Sequence, residues 1–437
     1  MPSIASASRS CSATHRCYAA ADGASNIGNT AAGLGDIDGD GIRDFAFGHT
    51  TDPERVDVYL GIDTPAVEGD APLPSGAFLQ ISGQERPGTG GSAVFNVGDF
   101  NGDGLPDIGV GSEVNNMFYV VLGDSAWTDE TTPLWEPGDA PLTLDLSDEG
   151  SYGNFRVVRI TMVDPGKPTT AFGRSAAAMG DMFPDAGTEV YGDLAIQSAE
   201  FPNSVILLKG REITTPITDI RLNASPDPDD LTANDGETVH IRKEKNANSS
   251  VFGRTITGGV DLDGGGLPDL VIEDSNQGTS VAYPYGLYIV YGEALQDKLG
   301  TSLQGVGLGT DPASLGETVL VGARGVILLG ATQFPGVLGD FDGAGGAFGS
   351  PDLVTTRFNP SFSGWGSVWI RSNSADAGAG IDYGTFPYVD ATVTSPYPLE
   401  VPGNFGYIAK AVGDVNADGF PDILAGSIFG GFPTIIY

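Results

Sequence analysis

The chain is nearly devoid of cysteine, with only Cys11 and Cys17 among 437 residues. No disulfide framework can therefore hold a fold of this length, and stability has to come from a hydrophobic core and any bound metal. Histidine is as scarce, limited to His15, His49 and His240. His15 lies between the two cysteines, but two Cys and one His make an incomplete zinc set. Lysine is confined to Lys167, Lys209, Lys243, Lys245, Lys298 and Lys410. With 21 Lys and Arg against 57 Asp and Glu, the formal net charge is -36. Such a field repels phosphate backbones and argues against nucleic acid as a partner. Long apolar runs are missing too: nothing approaches the roughly 20 residues of a membrane span, and "MPSIASASRS" lacks the apolar core of a signal peptide. The sequence reads as that of a soluble chain, a monomer or part of something larger, and an exported protein would have lost its signal.

Turn formers, by contrast, are abundant. The 65 Gly and 29 Pro accompany 40% apolar residues, too apolar for disorder and too rich in turns for a helical protein. Many short strands joined by turns are expected.

The stretch "GDIDGDGIRDFAFG" (35–48) recurs. Close copies are "GDFNGDGLPDIGVG" from Gly98, "GVDLDGGGLPDLVIED" from Gly259 and "GDVNADGFPDILAGS" from Gly413. Looser ones start at Gly180 and Gly339, each lengthened before its last aspartate. The first aspartates of the six copies are Asp36, Asp99, Asp181, Asp261, Asp340 and Asp414, spaced 63, 82, 80, 79 and 74 residues apart by subtraction. Eight residues before the aspartate stands a glycine, at Gly28, Gly91, Gly173, Gly253 and Gly406, and only the fifth copy lacks it. After each loop comes a β-prone run such as "DLVIED", then a second such as "MFYVVLG" or "LYIVYGE", and in several copies a weaker third: "AFLQIS", "LTLDLS", "ITDIRL". Each unit thus reads as strand, acidic loop, strand, strand, strand.

Six four-stranded antiparallel units are accommodated most economically in an all-β propeller, where radial closure leaves only short sheet edges; an open β-solenoid has shorter repeats. The last unit is short of a strand after "ILAGS" and "TIIY", whereas "CYAAA" (17–21) is a spare one ahead of the first. Residues 1–24 are therefore expected to supply a ring-closing strand, and 25–437 the propeller.

The loop pattern D-x-[DN]-x-D-G-x-x-D sets oxygens at positions 1, 3, 5 and 9, with Gly at 6 allowing a sharp turn that brings in the carbonyl of position 7. The first loop offers Asp36, Asp38, Asp40 and Asp44 with Ile42; the second Asp99, Asn101, Asp103 and Asp107 with Leu105; the sixth Asp414, Asn416, Asp418 and Asp422 with Phe420. The fourth keeps Asp261, Asp263 and Asp269, with Leu267 at position 7 and Gly265 at position 5. The fifth keeps Asp340, Asp342 and Asp352, and the third only Asp181, Asp185 and Asp193, with Phe183 at position 3. Plain Asp-Gly turns explain one or two aspartates, not three or four on alternate residues in phase. An all-oxygen shell of flexible geometry suits Ca²⁺ better than Mg²⁺ or Zn²⁺, up to about one ion per repeat. Extracellular modules bind at roughly 0.1–1 mM, which points to a secreted or cell-surface location.

The combination of "FG", as in "FGRSAAAMGD", with "VGDVNADGFPDILAGS" resembles the FG-GAP repeat of integrin α-chain propellers and their bacterial relatives, over nearly the whole chain from Gly28. The resemblance implies a calcium-stabilised propeller, usually of seven blades, serving adhesion or ligand recognition outside the cell. Only six units stand here, so either the ring has six blades or part of a seventh is lacking.

A protein or polysaccharide ligand is expected. The alternative is a carbohydrate-active enzyme, because some similar propellers are polysaccharide lyases that use His, Tyr and Arg. His49, after the strand "FAFG", and His240, beside Arg242, Lys243 and Lys245, are the candidates for that chemistry. No nucleophile elbow or phosphate loop is present. Trp127, Trp135, Trp365, Trp369 and Tyr383 would stack on sugars if exposed, or else pack between blades.

Overall fold

The computed structural model describes residues 15–17, 27–49, 55–61, 77–83, 93–112, 116–128, 131, 133–163, 172–184, 187, 190–198, 204–223, 237–242, 250–262, 265–276, 285–304, 324–329, 333–337, 353–357, 367–371, 391–394, 408–413, 422–426 and 434–436. Among them are strands and three one-turn 3-10 helices, with no α-helix, and no helix is long and apolar enough to cross a membrane.

The strands form six sheets. Strand β1 (His15–Cys17) belongs to the last of them. The first sheet contains β2 (Ile27–Gly35), β3 (Asp44–His49), β4 (Arg55–Tyr59) and β5 (Leu79–Ser82). The second contains β6 (Ala93–Asn96), β7 (Ile108–Ser112), β8 (Met117–Val121) and β10 (Val157–Val163), with β9 (Leu142–Asp145) lying between the last two in sequence. The third contains β11 (Phe172–Gly180), β12 (Asp193–Ser198), β13 (Ser204–Leu208) and β15 (Thr238–Arg242), with β14 (Ile217–Asn223) similarly interposed. The fourth contains β16 (Ser250–Val260), β17 (Asp269–Asn276), β18 (Tyr285–Val290) and β20 (Arg324–Leu329), with β19 (Thr301–Gln304) interposed. The fifth is β21 (Gln333–Val337), β22 (Leu353–Arg357), β23 (Ser367–Arg371) and β24 (Ala391–Thr394). The sixth is β25 (Ile408–Gly413), β26 (Asp422–Gly426), β27 (Thr434–Ile436) and β1.

Each sheet's four principal strands are antiparallel neighbours, and the acidic loop always joins the first to the second. First strands touch in the order β2, β6, β11, β16, β21, β25, and β25 touches β2 again, so the six sheets close into a cycle. One such contact is a hydrogen bond between first strands, from the Ile256 N–H to Ser175 Oγ at 3.0 Å. The chain ends meet in the sixth sheet, where His15, Arg16 and Cys17 pair antiparallel with Ile436, Ile435 and Thr434.

The upstream "FG" mark corresponds to a β-bulge in the first strand. The register of β11 shifts between Phe172 and Ala176, and that of β16 between Phe252 and Ile256. Gly173 and Gly253 sit there at φ of 81° and 74°, which a Cβ disfavours. The preceding Phe172 and Phe252 are fully buried.

The alternation of side chains along the strands of the first four sheets gives them apolar faces that stack on their neighbours. Leu34, Val56, Val58 and Ile81 of the first sheet pack against Val94, Val110 and Val121 of the second. Val120 and Ile160 continue into a layer with Leu194, Ile196 and Ile206 of the third. Ala195, Val205 and Leu207 then meet Ile256, Leu270 and Ile272 of the fourth. Trp127 and Trp135 are buried on Phe78, with ring centroids 5.4 and 5.5 Å away, so both pack between sheets. Trp369 lies in β23, and Trp365 and Tyr383 lie outside the described residues.

One expectation is corrected. "AFLQIS" contains the fourth strand of its own unit, β5, but "LTLDLS" and "ITDIRL" do not play that part. They contain β9 and β14, which cross to the preceding sheet and add a fifth, parallel strand beside β5 and β10. β19 does the same beside β15. The units' own fourth strands, β10, β15 and β20, come later in sequence. A short β-prone run satisfies its ladder equally well on either unit's edge, so its sequence does not say which one it joins. Across the β10–β14 pair, Arg159 forms a bidentate contact with Asp219, at 2.7 and 2.9 Å.

Candidate metal centre

The acidic loops begin with an aspartate that folds the backbone around itself. Asp36 Oδ1 accepts the Gly39 N–H at 2.7 Å and Oδ2 the Gly41 N–H at 2.8 Å. Asp99 accepts from Gly102, Asp103 and Gly104 at 2.7–3.0 Å. Asp261 accepts from Gly265 and Gly266 at 3.1 and 2.8 Å. Position 6 is held at φ of 90° in Gly41 and 93° in Gly104, with open space where a Cβ would go, so conformation alone requires glycine there.

The residue at position 2, to which no role was given on sequence grounds, is an apolar plug. Ile37, Phe100, Met182 and Leu262 are all buried. The signal was present, since every copy carries an apolar residue at that position.

The last aspartate of the pattern is a buried staple. Asp44 Oδ2 accepts the N–H of Ile37 and Oδ1 that of Gly61, both at 2.8 Å. Asp107 takes Phe100 and Gly123 at 2.8 and 2.9 Å. Asp193 takes Phe183 and Gly210 at 2.7 and 2.9 Å. Asp269 takes Leu262 and Gly292 at 2.8 and 2.9 Å. Each of these glycines lies two residues past the third strand, against the carbonyl of the residue preceding the aspartate. A Cβ on Gly61, Gly123, Gly210 or Gly292 would lie 2.4–2.6 Å from that oxygen. Asp422 likewise opens β26 and is buried. Each carboxylate oxygen bound to one N–H retains a lone pair for an ion.

In the first loop, oxygens of Asp36, Asp38 and Asp40 lie within 4.8 Å of one another. Ligands held at about 2.3–2.6 Å from one Ca²⁺ are at most about 5 Å apart, so the trio fits a single ion. Asp38 is buried, and its Oδ2 accepts the Thr128 hydroxyl at 3.0 Å. Burial, and then the charge of Asp40, push its pKa up to about 6. Burial also raises Asp40, with Asp36 adding to the effect. Asp44 is driven well above the usual carboxylate range by burial and by Asp38. A divalent cation would offset this crowding.

The second loop differs. Asn101 is buried, its Nδ2 donates to Asp103 Oδ2 at 2.8 Å, and its Oδ1 has no hydrogen-bond partner. That orphaned acceptor fits a cation ligand at position 3. Asp103 Oδ2 also receives the Arg156 guanidinium at 2.7 Å.

In the fourth loop the carboxylate missing at position 5 is replaced from outside. The N–H of position 7, which Asp40 and Asp103 accept in their own loops, is here accepted by Glu293 Oε1, from Leu267 at 3.1 Å. A Cβ on Gly265 would fall 2.1 Å from the same oxygen, so Glu293 fills the space of the absent side chain. Its separation of 26 residues from Leu267 kept it out of the sequence motif. In the third loop Phe183 is buried in the core at position 3, where the other loops have Asp or Asn. Asp185, Asp263, Asp340, Asp342, Asp352, Asp414, Asn416, Asp418 and Phe420 lie outside the described residues.

The loops stand side by side. The residues after Gly123 and Gly210 reach back to the preceding loop, the Asp124 N–H to the Ile37 carbonyl at 3.2 Å and the Arg211 N–H to that of Phe100 at 3.1 Å.

The two histidines considered for catalysis are both buried. His240 lies in β15, between β13 and the crossing strand β19. His49 Nε2 is 2.7 Å from Asp57 Oδ2, and Arg55 Nε is 2.8 Å from Asp57 Oδ1. Burial pushes the Asp57 carboxyl up, but hydrogen bonds and charge from His49 and Arg55 outweigh it and hold the group below its usual range. Its ionised form therefore stabilises the fold above about pH 4, and that contribution is lost as pH falls through the lowered folded value. Asp57→Asn is expected to cost about 1.5–3 kcal/mol at neutral pH, since it removes the buried carboxylate that the Arg55 guanidinium meets. Urea unfolding of both proteins across the acid range should show the gap closing below about pH 4.

No protein-family model matches the chain, and no curated protein matches it. Among solved structures, the crystal structure of BBS1N in complex with ARL6DN, soaked with mercury, is similar over 94% of this chain and 94% of that chain, at 11% identity and a TM-score of 0.34.

Proposed function

We propose that the protein is a six-bladed, calcium-stabilised β-propeller of the FG-GAP kind, exported and acting as a recognition or adhesion module for a protein or carbohydrate. The observation that carries the calcium reading is the first loop, where three carboxylates converge within the diameter of one Ca²⁺ coordination shell. The cyclic contact of first strands supports the propeller. The orphaned Asn101 Oδ1 and the substitution of Glu293 in the fourth loop extend the same reading around the ring.

In these loops the chain's own residues set the geometry. Asp36, Asp99 and Asp261 wind the backbone, the buried Asp44, Asp107, Asp193 and Asp269 tie it to the third strand, and Asp38 with Asp40 presents the charge. A calcium ion, when bound, supplies the positive charge that this arrangement needs. The turn between first and second strands then becomes rigid, and a rigid loop face is a platform for ligand contact. Sites of roughly 0.1–1 mM affinity fill outside the cell and not in a resting cytosol.

Burial of His49 and His240 favours a binding module over a lyase, which needs a proton acceptor within reach of a polymer. Incubation with a panel of acidic polysaccharides in calcium, followed by an assay for new unsaturated ends, separates the two. Saturable binding without product is expected. Turnover would overturn the module reading.

A further inference from the structure

We propose that Arg156 is an internal counter-cation of the second acidic loop, which a divalent ion must displace from Asp103, so that this site is weaker than the first by design of a residue outside the motif. The inference rests on the calcium reading above and goes on to how one site is regulated. Arg156 stands immediately before β10, and its guanidinium is 2.7 Å from Asp103 Oδ2 and 3.3 Å from the Gly123 carbonyl. Gly123 is the glycine stapled by Asp107, so the arginine bridges a position-5 ligand and the turn that anchors position 9. The first loop has a different partner: Asp38 meets the neutral Thr128 hydroxyl.

Two observations set the second loop apart from a plain surface ion pair. The Asn101 Oδ1 beside it is buried without a donor, which a guanidinium engaged on Asp103 does not satisfy. The same Asp103 Oδ2 is also claimed by Asn101 Nδ2. An arriving divalent ion gains Asn101 Oδ1 and must take Asp103 from Arg156. The arginine, about a third exposed, can swing into solvent, so displacement needs no change in the backbone. In calcium-poor medium the guanidinium offsets the charge of Asp103; in calcium-rich medium the ion replaces it.

Calorimetric titration of Ca²⁺ into the full chain and into Arg156→Gln tests this. Terbium luminescence identifies the second loop, because the Tyr191 ring lies against Gly102 of that loop and Tyr191→Phe should remove its contribution. One binding step, the terbium step assigned through Tyr191, is expected to tighten about tenfold in Arg156→Gln, the order set by removing one unit charge beside a divalent ion in a partly solvated site. Arg156→Lys, which keeps the charge, should stay near wild type. Melting in chelator guards against misfolding: Arg156→Gln should melt lower than wild type without calcium and no lower with it. Identical isotherms for wild type and Arg156→Gln would overturn the proposal while leaving the calcium reading intact. No binding by either protein would overturn both.

Discussion

Chelation of calcium is expected to lower the melting temperature by about 3 °C for each site that empties. An ion at 10 mM on a site of about 0.1 mM affinity stabilises the folded state by roughly 2.7 kcal/mol. The unfolding entropy of a chain of 437 residues, at about 2.1 cal/mol/K per residue, converts that into a shift of about 3 °C. Three occupied loops would give a difference of about 9 °C between scans in calcium and in excess chelator. Magnesium at the same concentration should restore little of it, because it dehydrates reluctantly and demands octahedral geometry. Superimposable scans would remove the ion from the account of stability.

The second large effect concerns the stapling aspartates, and it should persist in chelator. Asp107→Ala strands the Phe100 and Gly123 N–H groups, both of which the carboxylate accepts in a fully buried position. At about 1–3 kcal/mol for each unsatisfied buried donor, the loss should be about 2–6 kcal/mol. Asp107→Asn keeps one acceptor but turns an amide N–H₂ toward the other donor, and should fall between alanine and wild type. Burial raises Asp107 well above the ordinary carboxylate range, yet even a protonated carboxyl offers acceptor oxygens, so the staple does not need the negative charge. Urea midpoints measured with and without calcium resolve the two roles. A variant that is destabilised only in calcium would make Asp107 purely a ligand; one destabilised equally in both would make it purely a staple.

The sequence made the repeat, the loop positions and the β class readable because each is local. Alternate aspartates at fixed distance from a glycine, followed by "DIGVG" or "DLVIE", encode a turn and a strand within about a dozen residues. The "FG" mark is readable for the same reason, since a bulge is a property of one strand and its neighbour. What escaped is non-local. Glu293 completes a loop whose motif ends at Asp269, Arg156 acts on Asp103 from the far side of a long connection, and Thr128 reaches Asp38 from the next unit. Gly61, Gly123, Gly210 and Gly292 were in plain view at the ends of "VYLG", "VVLG", "LLKG" and "IVYG". A glycine at a strand end is also what an ordinary turn uses, and only their approach to a carbonyl shows that lack of a side chain is the requirement. His49 was singled out as a strand-end residue, and its partner Asp57 lies on the next strand, opposite Phe47 rather than opposite His49 itself.

The crossing strands β9, β14 and β19 have a consequence for how such a chain comes apart and how it could have arisen. The second, third and fourth periods of the sequence do not each correspond to one sheet: each contributes four strands to its own and a fifth to the one before. Pulling on the chain therefore cannot strip the second, third or fourth sheet's unit without tearing an edge from the sheet before it. The opening of one sheet is mechanically coupled to that of the sheet beside it. Duplication of one of these periods would likewise copy half of a seam, and the new copy would arrive already able to grip the previous one.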